Sequence, residues 1–234
     1  LIGLGANAKA ASIAGDLVVQ NARVRAIGED AGGFRPISEK DLFDCEYWSL
    51  EQAKLGKGAP PKFQGKVVMI TGGSGTIGFA IAEAFSKLGA QTILVDKDEI
   101  ALKESVAKLG VGHKYFPIDV THSDAANQAM LAAINNFGGL DILISNAGAA
   151  HAGPMLGISN EELRNAFELN FFSHYSFSTE AAKILKDQNR GGQILFNISK
   201  QAVNPGKNFG AYGLPKATTF FLMRQLALEL GSDG

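Results

Sequence analysis

From Phe63 onward two apolar patterns alternate along the chain. Short β-branched runs bounded by glycine or polar residues predict strands at Lys66–Ile70, Thr92–Val95, Lys114–Ile118, Asp141–Ser145 and Gln193–Ile198. Between them, apolar residues recur three or four apart, the spacing of one helix face. Ile77, Ile81, Ala84, Phe85 and Leu88 predict a helix that Gly89 closes. Further helices are predicted over Asp98–Leu109, Ser123–Phe137, Glu161–Asp187 and Ala211–Leu230. Ser159 stands where its hydroxyl can form a capping box with Glu162. Strict alternation of strand and helix predicts an α/β fold: a doubly wound parallel sheet with helices on both faces. The strands read as continuously apolar, as strands covered on both sides do.

The first 62 residues follow a different pattern. Ala10, Ile13, Ala14, Leu17, Val18 and Ala22 predict one amphipathic helix over Ala6–Glu29, closed by Gly32-Gly33. A lone helix cannot bury its own stripe, so this one needs a surface to dock on. Phe34–Lys62 reads as a linker. It holds a short amphipathic piece, Glu39–Leu55, with Tyr47 and Trp48, and ends in the helix-breaking run Gly56–Pro61. The division is therefore 1–33, 34–62 and 63–234. The abrupt apolar start at Leu1–Gly5 reads as the continuation of something longer. With strands in the order 3-2-1-4-5, the fifth is an apolar edge, and a further strand is expected beyond Gly234.

Charge and composition narrow the function. The 234 residues carry 22 Lys+Arg against 23 Asp+Glu, a net charge of −1. That balance argues against a nucleic-acid binder or charge-driven membrane attachment. The single cysteine, Cys45, cannot form an internal disulfide and fits a reducing compartment such as the cytoplasm. Four scattered histidines show no metal-ligand spacing.

Three loops carry candidate chemistry. Thr71-Gly72-Gly73-Ser74-Gly75-Thr76-Ile77-Gly78 joins the first strand of the sheet to its helix. Glycines at 72, 75 and 78 let the backbone approach a pyrophosphate that faces the helix N-terminus. Tight strand–helix turns need glycine anyway, so the loop gains meaning from Asp96, at the end of the second strand. A carboxylate there can accept bonds from both ribose hydroxyls and repels a 2′-phosphate, which favours NAD over NADP; Lys97 beside it works the other way. Asp119, in Asp119-Val120-Thr121, is placed to hold an adenine amino group or to cap the next helix. Asn146-Ala147-Gly148 ends the fourth strand, with small residues for close approach and an amide able to tie strands together.

Tyr212 and Lys216 stand four apart, on one face of the last helix. A free tyrosine titrates near ~10. A neighbouring ammonium favours the phenolate, which suits the pair to acid–base work. Ser199 follows the fifth strand, at the edge where open α/β sheets place ligands, and its hydroxyl can bond a reacting oxygen. Singly, each residue is ordinary; jointly with the glycine loop they define a site.

Thr71–Gly78, Asn146-Ala147-Gly148, Asn170, Ser199 and Tyr212-x-x-x-Lys216 together resemble the short-chain dehydrogenase/reductase family over about Phe63–Gly234. The resemblance implies NAD as cofactor. It makes Tyr212 the general acid/base, with Lys216 assisting it and holding the nicotinamide ribose. Ser199 orients the substrate oxygen, and Asn170 holds a water in a proton relay. Gly72, Ser74, Gly75, Thr76, Ile77, Gly78, Asp96, Asp119, Val120, Asn146, Ala147 and Gly148 would line the cofactor site with Tyr212 and Lys216. Thr76 stands where many members have glycine, and Pro215 where serine is common. The family also implies a homo-oligomer, dimer or tetramer, with Phe171, Phe172, Tyr175 and Phe177 in the core or between subunits. His151 and Lys200 flank the motifs as weaker pocket candidates.

Phe34–Gly56 and Ser199–Gly206 further resemble bifunctional proteins in which a rhamnulose-1-phosphate aldolase precedes a short-chain (alcohol) dehydrogenase. That resemblance implies an upstream aldolase domain whose tail is Ala6–Glu29, and oxidation of lactaldehyde to lactate in rhamnose breakdown. The alternatives are lactaldehyde reduction, polyol or sugar-alcohol oxidation, or a non-catalytic nucleotide-binding scaffold.

Overall fold

The computed structural model describes residues 3–5, 8–46 and 61–231. The chain forms two compact units, residues 1–62 and 63–234. In the first, α1 (Ala8–Asp30) is followed by α2 (Glu39–Glu46). Gly32 and Gly33, both with positive φ, follow α1 where a left-handed turn was expected to close it. Ser38 opens α2 by accepting from the Asp41 backbone N–H at 3.1 Å. On α1, Ile13, Leu17 and Val18 are exposed. The expected second half of the Glu39–Leu55 piece, with Tyr47 and Trp48, and the Gly56–Pro60 run lie outside the described residues.

The second unit is a five-stranded sheet in the order β3-β2-β1-β4-β5, every pair parallel. Its elements are β1 (Val67–Thr71), α3 (Thr76–Lys87), β2 (Gln91–Asp96), α4 (Glu99–Leu109), β3 (Lys114–Pro117), α5 (Ala125–Phe137) and β4 (Ile142–Ser145). Then come α6 (Asn160–Phe167), α7 (Ser173–Gln188), β5 (Gln193–Phe196) and α8 (Gly210–Leu230). Alternate residues of one strand face opposite layers. Val67 and Met69 pack with Ile93, Val95, Leu143, Ala129, Met130 and Phe177. Val68 and Ile70 pack with Leu94, Ile142, Ile144, Ala82 and Leu102. Asp98 caps α4, accepting from the Ala101 N–H at 3.0 Å, and leaves Asp96 free of that task. The Ser159–Glu162 capping box is present at α6.

Two expectations are corrected. The outer strands are not covered as the central ones are: Gln193 is exposed and Leu195 of β5 is 44% exposed. Edge position decides this, since β5 has a neighbour on one side only. The long helix expected over Glu161–Asp187 is interrupted by a π-helical turn at Glu168–Phe172, the kind of local widening that recurs at functional sites. Pro215 lies in the second turn of α8. It therefore removes one helical N–H and leaves the Ala211 carbonyl without its usual partner.

Candidate active site

The strand order reverses at β1, between β2 and β4, and a ligand crevice is expected there, beyond the carboxyl ends of the strands. A cleft of about 950 Å³ opens at this place. Gly72, Gly75, Thr76, Ile77, Gly78, Asp96, Asp119, Val120, Asn146, Ala147, Gly148, Ser199, Tyr212 and Lys216 all line it. Ser74 and Asn170 stand behind its wall, and neither His151 nor Lys200 reaches it.

The phosphate end is built from backbone. Gly72 has φ of +64°, and a Cβ at Gly78 would overlap the Gly72 carbonyl oxygen. Neither position accepts a side chain without moving the loop. No side chain caps α3 at Gly75, so its first-turn N–H groups are left for a negatively charged ligand. Ser74 donates its hydroxyl to Asp96 Oδ2 at 2.7 Å, and its backbone N–H bonds the same oxygen at 3.3 Å. The Lys97 N–H donates to Asp96 Oδ1 at 2.8 Å. These bonds fix the carboxylate at the rim. Asp119 Oδ1 accepts from the Thr121 N–H and hydroxyl at 3.0 and 2.7 Å, and these bonds hold its carboxyl below the ordinary range. Its carboxylate thus closes a local turn while lining the cleft.

Asn146 ties three strands together. Its backbone N–H donates to Thr71 Oγ1 at 2.9 Å and its amide donates to the Thr71 carbonyl at 2.9 Å. Its Oδ1 accepts from the Asn197 amide at 2.8 Å. Gly148 is required by packing. A Cβ there would stand 2.8 Å from Asn170 Oδ1, closer than real Cβ contacts come, and 3.2 Å from Lys216 Nζ, a tight contact.

The opposite wall carries the side-chain chemistry. Tyr212, half-buried, and Lys216, 2% exposed, project from α8, and Lys216 Nζ lies 5.9 Å from the Tyr212 ring centre. Burial lowers the Lys216 pKa from 10.5 to about 8. Ser199 Oγ accepts from the Gln201 N–H at 3.2 Å, and its own proton remains available to a ligand oxygen. Asn170 is 1% exposed. Its amide donates to the Ala149 and Ala166 carbonyls at 3.1 Å each, and its Oδ1 accepts from the Ala149 N–H at 3.2 Å. Thr219 Oγ1 donates to the Asn170 carbonyl at 2.8 Å. Both amide N–H groups of Asn170 are thus used, so a relay water there would have to donate to one of its oxygens.

Three contributors had no signal strong enough to select them from the sequence. Thr71 accepts from both the Asn146 and Ala147 N–H groups. The Asn197 carbonyl accepts from Lys216 Nζ at 3.2 Å. His174, 1% exposed, lies 3.1 Å from Lys216 Nζ. Its spacing of four from Asn170, one helical face, was the available clue.

A glycine cradle with uncapped helical N–H groups, facing a tyrosine–lysine pair and a serine hydroxyl, fits a nicotinamide dinucleotide. The family model described as short chain dehydrogenase matches residues 66–234, and the chain belongs to that family. Residues 1–55 match the model for the second domain of class II aldolase. Over 210 residues the chain is 34% identical to "Uncharacterized oxidoreductase YuxG" of Bacillus subtilis, covering 87% of this chain and 30% of that protein. Among solved structures it resembles L-sorbose reductase from Gluconobacter frateurii, complexed with NADPH and L-sorbose. There the TM-score is 0.71 at 30% identity, over 75% of this chain and 68% of that one. It also resembles an NAD+-bound xylitol dehydrogenase, with a TM-score of 0.71 at 27% identity over 74% and 68% of the two chains.

Proposed function

We propose that the chain carries the dehydrogenase activity of an NAD-linked enzyme acting on a small hydroxylated aldehyde or alcohol, first of all oxidation of lactaldehyde to lactate. One observation carries this reading: Tyr212, Lys216 and Ser199 line the same cleft as the glycine loop. NAD, when bound, supplies the hydride acceptor. Ser199 donates its hydroxyl proton to the substrate oxygen and fixes its direction. Tyr212, as phenolate, takes the proton from the substrate hydroxyl. Lys216 supplies the positive charge that favours the phenolate and bonds the ribose. Asn170 holds the relay water. Asp96 accepts from the adenosine ribose and repels a 2′-phosphate, and Asp119 and Val120 border the adenine. In water an aldehyde exists partly as a gem-diol, so one hydroxyl of hydrated lactaldehyde meets Tyr212 as any alcohol would.

Support for lactaldehyde comes from the aldolase match over residues 1–55, because an aldolase acting on a deoxy-sugar phosphate releases such an aldehyde. A second reading, interconversion of a polyol and its ketose, is favoured by the likeness to the L-sorbose reductase and the xylitol dehydrogenase. The exposed aromatic pair Phe172 and Tyr175 suits a homo-oligomer contact. No helix among the described residues is long and apolar enough to cross a membrane; the single cysteine, which fits a reducing compartment, supports a cytoplasmic enzyme.

The test is product analysis with the intact protein. Lactaldehyde with NAD+ should give lactate and NADH, and NADP+ should be the poorer oxidant. Asp96→Ala should narrow the NAD+/NADP+ ratio by about tenfold, the worth of one or two charge-assisted bonds. Turnover of xylitol in place of lactaldehyde would favour the second reading. NADH binding with no turnover of aldehyde, alcohol or sugar would leave a nucleotide-binding scaffold.

A further inference from the structure

His174 occupies the second position of α7, where the π turn ends. Its Nδ1 lies 2.6 Å from Ser145 Oγ, at the end of β4. Its Nε2 lies 3.1 Å from Lys216 Nζ. Lys216 also donates to the Asn197 carbonyl at 3.2 Å, and among the described residues no carboxylate pairs with it. An ammonium has only donors. Nε2 must therefore accept, which leaves the single ring proton on Nδ1, facing Ser145. Burial, and then the charge of Lys216, lower the pKa of His174 to about 3, while a bond with the Ala147 backbone works in the other direction. The ring is thus neutral between about pH 3 and 8, where Lys216 is charged. Ser145 from β4 and the Asn197 carbonyl from β5 do not titrate, and Tyr212 is the remaining ionisable neighbour, on the helix of Lys216.

We propose that His174 is a positioning residue, a neutral acceptor whose tautomer is set by the Lys216 ammonium and accommodated by Ser145, and that it holds this ammonium beside Tyr212 without cancelling its charge. The proposal rests on the catalytic reading of Tyr212 and Lys216. The choice of residue follows from electrostatics. A carboxylate in this place would pair with the ammonium and remove the field that favours the phenolate. An apolar side chain would leave a buried N–H unpartnered and the charged form harder to keep. An imidazole with a fixed tautomer avoids both. It engages one N–H of Lys216, the Asn197 carbonyl engages a second, and the third remains for the cleft.

Nitrogen-15 histidine NMR of the intact protein tests the contact without turnover. His174 should show a protonated Nδ1 and an unprotonated Nε2 from pH 5 to 9. Its Nε2 resonance should move as Lys216 loses its proton near pH 8, and Lys216→Met should abolish that step. An imidazolium, the opposite tautomer, or indifference to Lys216 would overturn the proposal. In assays with NAD+ and the substrate the wild type turns over, His174→Leu should lower kcat about ten- to a hundredfold, the worth of one hydrogen bond to a charged group. KM should stay within about twofold by the same reasoning, and the NADH Kd should rise by less than kcat falls, since Lys216 also bonds the ribose. His174→Gln keeps a carbonyl acceptor and should restore most of the loss. Should His174→Leu fail to fold, the glutamine variant and the NMR titration decide the matter. Wild-type kcat in a folded His174→Leu protein would refute the role. A wild type that oxidises nothing refutes the catalytic reading instead, and the NMR result still judges the His174–Lys216 contact.

Discussion

The two walls of the cleft are made by different means. On the β1–β2 side the surface is backbone: a positive-φ glycine, a second glycine with no room for a Cβ, and an uncapped helix end. On the β4–β5 side it is a set of side chains joined by hydrogen bonds, Asn146 to Asn197, His174 to Lys216 and Ser145. A backbone wall binds by shape and by fixed dipoles, so it tolerates little change in volume and is indifferent to pH. A side-chain wall holds an ammonium in a place that costs it solvation, and its chemistry depends on each partner being in the right protonation state. The first kind of surface suits holding a nucleotide; the second suits moving a proton.

The sharpest separation of the walls is Tyr212→Phe. Loss of a general acid/base lowers turnover by about 10²–10⁴-fold. NADH affinity, read by fluorescence titration, should change little, since the removed hydroxyl belongs to the chemical wall. The converse variant is Gly78→Val. Its side chain would enter the space of the Gly72 carbonyl, and NADH Kd should rise at least about a hundredfold, as expected when overpacking of a few kcal/mol falls on one loop. The nitrogen-15 signature of His174 should survive that change.

The backbone wall was the more legible of the two. Glycines between an apolar run and a helical repeat, and an acidic residue ending the next strand, are local signals that name their own structure. Tyr212 and Lys216 were legible too, because four residues make one turn and the helix was readable. His174 was not, since a histidine inside a helix gives no sign of the strand end or second helix it will meet. Nor was the π turn at Glu168–Phe172, whose residues are ordinary helix formers and aromatics. The exposure of Leu195 shows the same limit: β5 has the composition of a covered strand, and its position at the edge is a property of the whole sheet. Pro215 falls in the second turn of α8, which begins at Gly210, and lies on its buried side.

Asn146 belongs to both walls, and its removal should be felt as stability. Asn146→Ala deletes the amide that bonds the Thr71 carbonyl and the oxygen that accepts from Asn197, leaving two strand-end groups unpartnered. The expected loss is about 2–3 kcal/mol, one net hydrogen bond or slightly more for each group orphaned. Urea unfolding followed by circular dichroism reads it, with an unchanged m-value marking a true stability effect. A loss below about 0.5 kcal/mol would mean that water replaces the amide easily, and that the strands are tied elsewhere.

The most gradual effect, up to about 1.4 kcal/mol for each pH unit, is the most specific to the side-chain wall, because it depends on the sign of two buried bases. The folded pKa of His174, about 3, lies below its model value of 6.5, which is taken for the unfolded chain. Between these values the unfolded chain binds a proton that the folded chain refuses. Stability is therefore complete above about 6.5 and declines as pH falls toward 3, by up to about 1.4 kcal/mol per pH unit from this group. Lys216, lowered from 10.5 to about 8, acts in the same sense at the other end: unfolding takes up a proton between those values, so its burial penalty fades as pH rises from 8. Acid unfolding curves of wild type and His174→Gln should converge as pH falls from about 6.5 toward 3, the wild type losing stability faster because only it has an imidazole to protonate. Parallel curves over that interval would mean that His174 is protonated in the folded chain, and the side-chain wall would then hold two adjacent positive charges instead of one.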